Sequence, residues 1–159
     1  MGVVTYEFEV TSPVAPTRLF KAFVLEGAKV FPKAAPHAIK SVELEGDGKP
    51  GSIVKINFVE GLPFQYMKHM IGGHDENNLS YSYSLIEGGP LGDKLEKISY
   101  ENQFVAAASG GSVCKSSIKF YTVGDYVITE DEIKALIQRS EVVYKAIEAF
   151  LLANPDACN

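Results

Sequence analysis

Three glycines form the motif in this chain that comes nearest to a known binding chemistry. Gly46, Gly48 and Gly51 have the G-x-G-x-x-G spacing of loops that hold the pyrophosphate of a dinucleotide. That chemistry needs a helix directly after the glycines, because the N–H groups of its first turn bind the phosphate oxygens. The following residues, Ile53 to Phe58, instead favour a strand. We therefore interpret this glycine-rich loop as a rigid connection between two strands.

Histidines and cysteines offer little further chemistry. His37, His69 and His74 lack the spacing to cysteine or carboxylate that predicts zinc, so we expect no metal and no cofactor. The two cysteines, Cys114 and Cys158, do not make a disulfide framework and are interpreted as free thiols in a reducing compartment.

The remaining candidate residues for ligand binding are aromatic. The periodicity of apolar residues predicts the strands and helices that carry them. From Leu79 to Leu85 every apolar or aromatic side chain falls on one face and every serine on the other, which predicts a half-buried strand. Val4 to Val10 alternate similarly. Further strands are predicted at Ile53–Phe58, Gln65–Ile71, Ile98–Ala106 and Ser112–Tyr121, linked by turn residues with no intervening helix, as in an antiparallel meander.

Helices are predicted in two regions. Pro16 can begin a short helix that Gly27 ends, and Lys29 to Lys33 favour a second helical turn. Thr129 and Glu132 form a capping box, after which an apolar stripe from Ile133 to Leu151 predicts a long amphipathic helix that Pro155 ends. The predicted fold is α+β, with a curved antiparallel sheet of about seven strands and one long helix against its concave face.

That architecture leaves two interpretations of the aromatic residues. The concave lining would be rich in rings, at Tyr81, Tyr83, Tyr100, Phe58, Phe64 and Phe120. Such a lining suits a flat ligand with a few polar substituents, because each buried tyrosine hydroxyl needs a hydrogen-bond partner. Alternatively, the rings simply fill the core. The pattern alone leaves both interpretations open.

Composition narrows the choice of partners. The 159 residues are 46% hydrophobic and 22% charged, with a formal net charge of −5, which is typical of one globular domain over residues 1–159. This balance disfavours nucleic acid, whose binding requires clustered lysine and arginine. The N-terminal residues do not form a signal peptide and no stretch approaches the ~20 apolar residues of a membrane helix. We expect a cytoplasmic protein that does not bind membranes.

Several segments resemble the pathogenesis-related class ten family, the relatives of the major birch pollen allergen. The resemblance begins at Gly46–Ser52 and extends over almost the whole chain, with supporting stretches at Leu19–Phe23, Pro32–Pro36, Tyr83–Gly89, Leu95–Ile98 and Tyr144–Asp156. It implies the helix-grip fold, in which seven strands and two short helices surround a long C-terminal helix and a large cavity. It also implies stress induction, antibody recognition as an allergen, and binding of flavonoids, cytokinins or steroids. A monomer without an enzymatic role is expected.

Carried over residue by residue, the resemblance implies a larger cavity lining. This lining comprises Phe23, Phe31, Ile39, Ile56, Phe58, Phe64, Tyr66, His69, Tyr81, Tyr83, Tyr100, Phe120 and Ile137, with Ser140 and Tyr144 of the long helix closing one side. The parity of the strand from Gln65 to Ile71 does not fix which of Tyr66, Met67 and His69 point inward.

Two enzymatic alternatives stay open. Ribonuclease activity has been ascribed to the family, and the residues invoked for it match Lys55, Glu96 and Glu148. Acid–base cleavage needs a base and an acid close together, whereas Glu148 follows the stripe residue Ile147 and is expected to face solvent. A condensation like that of the norcoclaurine synthases needs a lysine and carboxylates inside the cavity, and the candidate lining contains no lysine.

Overall fold

Seven strands and three helices make up the computed structural model, which describes residues 2–159. The strands are β1 (Val3–Ser12), β2 (Ile39–Glu45), β3 (Ile53–Phe58), β4 (Tyr66–Asp75), β5 (Ser80–Gly88), β6 (Leu95–Ala106) and β7 (Ser112–Thr122). The helices are α1 (Pro16–Phe20), α2 (Gly27–Ala34) and α3 (Glu130–Ala153), with a π-helical turn at Lys21–Leu25 between the first two. The predicted α+β fold is confirmed.

All strands form one antiparallel sheet in the order β1-β7-β6-β5-β4-β3-β2. Strands β2 to β7 pair with their neighbours in sequence, and β1 pairs with β7 along its whole length, from Val3 opposite Tyr121 to Ser12 opposite Ser112. Residues that pair directly across two strands lie on the same face of the sheet, and side chains alternate between the two faces along each strand. Once β1 and β5 are assigned from their alternation, the pairing therefore assigns whole rows of side chains to the inner or the outer face.

Helix α3 begins at the predicted capping box. The hydroxyl of Thr129 accepts a hydrogen bond from the N–H of Glu132 (3.2 Å), and the Glu132 carboxylate accepts one from the N–H of Thr129 (3.3 Å). These bonds satisfy two donors that a helix start leaves free. The acidic residues of the first turn are Glu130, Asp131 and Glu132, which suits the positive end of the helix dipole.

The buried apolar side chains form three separate clusters, and α3 contributes to each of them. Tyr144, Ile147 and Leu151 pack with α1, α2 and Phe104, whereas Ile133 and Ile137 pack with Ile98, Ile118 and Phe120. Val143 and Ala146 flank the third cluster, which contains Ile39 and Ile56. The backbone of α3 comes close to α2 but runs at a greater distance from the strands. Side chains therefore have to bridge the space between helix and sheet.

The glycine-rich loop connects β2 to β3, as predicted, and no helix follows it. Gly46 has a φ of 121°, and a Cβ atom at this position would lie 2.7 Å from the Ser52 hydroxyl. That hydroxyl accepts a hydrogen bond from the N–H of Gly48 (3.1 Å) and donates one to Asp47 (3.2 Å). A side chain at position 46 would displace Ser52, so the loop conformation requires glycine there.

Candidate functional site

A ladder of aromatic rings crosses the inner face of the sheet. Tyr83 of β5 lies directly opposite Tyr100 of β6, and their rings stack with centroids 4.6 Å apart and an angle of 14° between their planes. Tyr81 stacks on Tyr83 at 5.9 Å and on Phe104 at 6.0 Å. Each of these three tyrosine side chains keeps part of its surface accessible, although it points to the inside of the molecule.

Within residues 2–159, the hydroxyl groups of this ladder form no hydrogen bonds to other side chains or to the backbone. In residues 2–159 the tyrosine hydroxyls that form side-chain hydrogen bonds belong to Tyr66 and Tyr126, both outside the ladder. Burial raises the pKa values of Tyr81, Tyr83 and Tyr100, so all three hydroxyls are protonated at neutral pH. Each can therefore donate one hydrogen bond and accept others from a guest molecule.

His69 of β4 completes the polar part of the inner face. Its ring lies 4.7 Å from that of Tyr83 and 6.4 Å from that of Tyr100. Burial lowers the pKa of His69 to about 4, because desolvation disfavours the imidazolium. At neutral pH the imidazole is uncharged and offers one donor and one acceptor.

The opposite wall is formed by α3. Ile137 and Tyr144 lie seven residues apart on one face of this helix, and both are buried. Ser140 lies between them on the same face, yet its side chain is exposed and its hydroxyl donates a hydrogen bond to the carbonyl of Ile137 (2.7 Å). The exposure of Ser140 between two buried residues indicates that the described part of the chain leaves α3 uncovered at this point.

Apolar side chains surround the space between the sheet and α3 at the end that lies near α2. Phe23 stacks on Tyr144 (5.4 Å, 29°) and meets Phe31 edge-on (5.7 Å, 81°). Phe58 packs beside Ile39 and Ile56. Three of the predicted lining residues are almost fully buried and belong to the wall behind the rings, namely Ile39, Ile56 and Phe120. By contrast, Phe23, Phe31 and Phe58 keep accessible surface.

Phe64 lies on the loop between β3 and β4 and is partly buried. The guanidinium carbon of Arg139 is 5.2 Å from the centroid of the Phe64 ring. This contact joins the loop to α3 one residue before Ser140. Arg139 was not among the residues singled out from the sequence, since an exposed arginine on a helix has no distinctive pattern.

The prediction that Tyr66 lines the cavity is wrong. Tyr66 pairs with Asn57, one residue out of phase with the buried Ile56 and its partner Met67, and therefore lies on the outer face. There its hydroxyl donates a hydrogen bond to Glu87 (2.8 Å), and the Lys55 ammonium lies 5.2 Å from its ring centroid. The inward residues of this strand segment are Met67 and His69.

The residues of the ribonuclease alternative are not brought together. Lys55 is on the outer face of β3, and two strands separate β3 from β6, which carries Glu96. Three strand spacings amount to about 14 Å. Glu148 belongs to α3 on the other side of the sheet, where it was expected to face solvent. Its side chain is instead only 13% exposed, with Lys145 at 3.5 Å.

An inward-facing polar pair escaped prediction. Asn102 lies between Tyr81 and Ser116 in the strand pairing, and the Ser116 hydroxyl donates a hydrogen bond to its side-chain oxygen (2.6 Å). The period of two that placed Tyr100 on the inner face also places Asn102 and Phe104 there, so this signal was present in the sequence. Neither residue type by itself suggested an interior position.

Two grooves along the sheet are open to solvent. The larger one, of about 720 Å³, runs over β1, β7, β6, β5 and the end of β4. Its lining combines outward residues such as Glu7, Glu9, Glu101 and Lys115 with Phe8, Tyr81, Asn102 and Ser116 from the inward rows. A smaller groove of about 240 Å³ continues over Ser84, Ser99 and Lys119. Both grooves are open, and charged and hydroxylic side chains make up much of their lining, which suits an apolar guest poorly.

The described residues lack two further features. No three histidine, cysteine or acidic side chains in residues 2–159 come together in a way that could hold a metal ion. Within the same residues, no helix is long and apolar enough to span a membrane. Cys114 and Cys158 are both free and buried, as expected for unpaired thiols.

A seven-stranded antiparallel sheet around a long C-terminal helix, with two short helices between β1 and β2, defines the helix-grip class of proteins. Residues 1–154 match the model of the pathogenesis-related protein Bet v 1 family, and the chain belongs to this family. Major allergen Pru av 1 of Prunus avium is 53% identical over 160 residues, which cover all of both chains. The resemblance to this family noted from the sequence is thus confirmed.

Solved structures agree with this assignment. The crystal structure of Ara h 8.0201 superposes with a TM-score of 0.86 at 41% identity, covering 96% of this chain and 100% of that one. Norcoclaurine synthase from Thalictrum flavum, in complex with dopamine and hydroxybenzaldehyde, superposes with a TM-score of 0.71 at 22% identity, covering 96% of this chain and 88% of that one. At that identity the second likeness concerns the fold alone.

Proposed function

We propose that the protein binds a flat, amphipathic small molecule between its sheet and α3, and that it acts as a carrier or receptor of that molecule. The observation that carries this proposal is the set of polar groups of Tyr81, Tyr83, Tyr100 and His69, which point inward, keep accessible surface and are free to pair with a guest. Because these groups are accessible, a guest with matching hydroxyl or carbonyl groups can pair with them in place of water. On the facing helix, the Tyr144 hydroxyl is buried without a hydrogen-bond partner in residues 2–159, a situation that costs about 1–3 kcal/mol.

The shape and chemistry of the surroundings favour a phenolic ligand of the flavonoid type. The parallel rings of Tyr83 and Tyr100 offer an edge and a face to a flat ring system, and Phe23, Phe31 and Phe58 offer apolar contact. A cytokinin or a steroid is the second choice, because a steroid has fewer polar substituents for the four polar groups and a cytokinin has a smaller flat ring system for the tyrosine rings. A cytoplasmic role in plant defence, together with recognition by antibodies against allergens, is proposed on the basis of the family and its allergenic relatives.

A binding function without catalysis agrees best with the charges inside. The inward tyrosines are protonated and His69 is neutral, so within residues 2–159 the tyrosine ladder and His69 offer no ionised nucleophile or base. The carboxylate of Glu148 lies near Tyr144 on α3, where it pairs with Lys145 at 3.5 Å. The tyrosine hydroxyls and the neutral imidazole can orient a ligand and hydrogen-bond to it, but they are poorly suited to cleaving RNA or to forming an iminium ion from an amine.

The experiment is to block the space between helix and sheet from the helix side. Ser140→Phe places a ring where α3 is uncovered, and we expect it to reduce the affinity for a flavonoid such as naringenin at least about tenfold in titration calorimetry. Gln138→Phe is the matched control, since Gln138 is exposed on the solvent side of α3 and should leave the affinity unchanged. Equal affinities in both variants, with intact folding by circular dichroism, would show that the ligand binds elsewhere.

A further inference from the structure

Arg139 holds a charged group at the boundary of the proposed binding site. On α3 it lies on the flank that faces β3, one turn before Val143, which packs against the cluster of Ile39 and Ile56. Its guanidinium lies over the ring of Phe64, 5.2 Å from the centroid. The next residue is Ser140, which marks the uncovered stretch of the helix.

The guanidinium of Arg139 has free hydrogen-bonding capacity. Within residues 2–159 it forms no ion pair and no hydrogen bond, whereas Arg18, the other arginine, donates to three backbone carbonyls. A guanidinium carries its N–H donors in the plane of the group, so contact of its face with a ring leaves these donors available. Phe64 thus supports the cation while its N–H groups remain free for an anion.

Other cations near aromatic rings are differently placed. Lys145 lies 5.9 Å from the ring centroid of Tyr144 but pairs with Glu148 at 3.5 Å. Lys55 lies over Tyr66 on the outer face, away from α3. Lys94 and Lys97 lie over Tyr126 and Tyr121. Of the two arginines, Arg139 is the one whose guanidinium is unpaired within residues 2–159 and lies beside the proposed site.

We propose that Arg139 makes this site selective for ligands with a carboxylate, such as flat aromatic acids, whose rings lie against the tyrosine ladder while the acid group reaches Arg139. The inference rests on the proposed function. It follows because the inward rows of β3 to β7 carry no lysine or arginine, and His69 is neutral at pH 7. A carboxylate directed inward would lose its hydration without an ionic partner, whereas one directed to Arg139 gains a charge-assisted hydrogen bond and stays near solvent.

The test compares two probes of the same shape, 2-naphthoic acid and 2-naphthamide, by titration calorimetry at low ionic strength. In wild type we expect the acid to bind more tightly. Arg139→Met keeps the apolar contact with Phe64 and removes the charge. It should therefore lower the affinity for the acid about three- to tenfold and leave the affinity for the amide unchanged. Arg139→Lys should retain part of the preference, and added salt should reduce it in wild type.

Lys134→Met is the matched control, since Lys134 is an exposed cation on the same helix that pairs with Glu130 at 3.4 Å. It should change neither affinity. If Arg139→Met weakens both probes equally or neither of them, while Ser140→Phe prevents the binding of both, the selectivity is refuted and the binding site stands. If neither probe nor naringenin binds to wild type, both the proposed function and this inference fail.

Discussion

His69 is surrounded by uncharged rings, and its protonation state links the interior to the stability of the fold. Burial lowers its pKa to about 4, compared with ~6.5 in an unfolded chain. Between these values the unfolded state binds more protons than the folded state. The free energy of unfolding should therefore fall as the pH falls from about 6.5 towards 4, and the contribution of His69 should be complete above this window.

We expect His69→Gln to remove this dependence. The difference in unfolding free energy between wild type and variant should decrease by about 1–3 kcal/mol from pH 7.5 to pH 4.5, the upper limit being set by 1.36 kcal/mol per pKa unit. Urea unfolding of wild type and variant at both pH values measures this difference. Because the carboxylates that titrate in the same range are present in both proteins, their contribution to the unfolding free energy cancels in the difference. A pH-independent difference would show that His69 is solvated in the folded protein.

The two sides of β4 illustrate what the sequence could not decide at the residue scale. In the segment from Tyr66 to Ile71 each face carries both apolar and polar residues, so neither phase of the alternation is favoured. The inner face has Met67 and His69, while the outer face has Tyr66 and Lys68. Tyrosine tolerates the outer position because its hydroxyl pairs with Glu87 and its ring lies beside Lys55.

At the scale of elements, the starts of helices and the alternation of strands were predictable because both depend on local chemistry. The capping box placed the start of α3 at the correct residue, and β5 was evident from its serines. The π-helical turn at Lys21–Leu25 was not predictable, since this segment contains ordinary helix-forming residues. In this turn Ala22 and Phe23 pack in the cluster that contains Val30 of α2 and Tyr144 of α3.

The capping box itself gives a prediction about α3. Thr129→Ala removes the acceptor for the N–H of Glu132 and should lower the free energy of unfolding by about 1 kcal/mol. Thr129→Ser keeps the hydroxyl and should restore most of this loss. Thr17→Ala, at an exposed threonine in α1, is the control. Thermal or urea unfolding gives the values, and an equal loss in the alanine and serine variants would argue against the cap.

At the scale of the whole molecule, the sequence indicated the curved sheet and its aromatic lining but not where the lining is uncovered. The roles proposed for Ser140 and Arg139 depend on the tertiary structure. Ser140 lies at a gap in the packing, and Arg139 contacts Phe64, which is some 75 residues away in sequence. The split of the buried side chains into three clusters is likewise a tertiary property. Periodicity identifies which face is buried and does not indicate how completely the space behind it is filled.

A second long-range connection closes the fold at its termini. Arg18 of α1 donates hydrogen bonds to the carbonyls of Leu151 (3.0 Å), Asn154 (3.0 Å) and Ala157 (2.9 Å), at and beyond the end of α3. It satisfies carbonyls that a helix end leaves free and places a positive charge at the negative end of the dipole. The residues after α3 are thereby held against α1, with Cys158 buried beside them.

We expect Arg18→Gln to release this C-terminal segment before the rest of the molecule unfolds. Hydrogen bonds to a charged group contribute about 1.5–3 kcal/mol, and each 1.4 kcal/mol of local opening changes an opening equilibrium about tenfold. The Cys158 thiol should then react with dithionitrobenzoate at least about ten times faster than in wild type.

Cys158→Ser in the Arg18→Gln background should abolish the fast reaction, which assigns it to Cys158 rather than Cys114. Lys29→Gln, at an exposed cation of α2, should react at the wild-type rate. A wild-type rate in Arg18→Gln would mean that the apolar contacts of Cys158 hold the segment without the arginine.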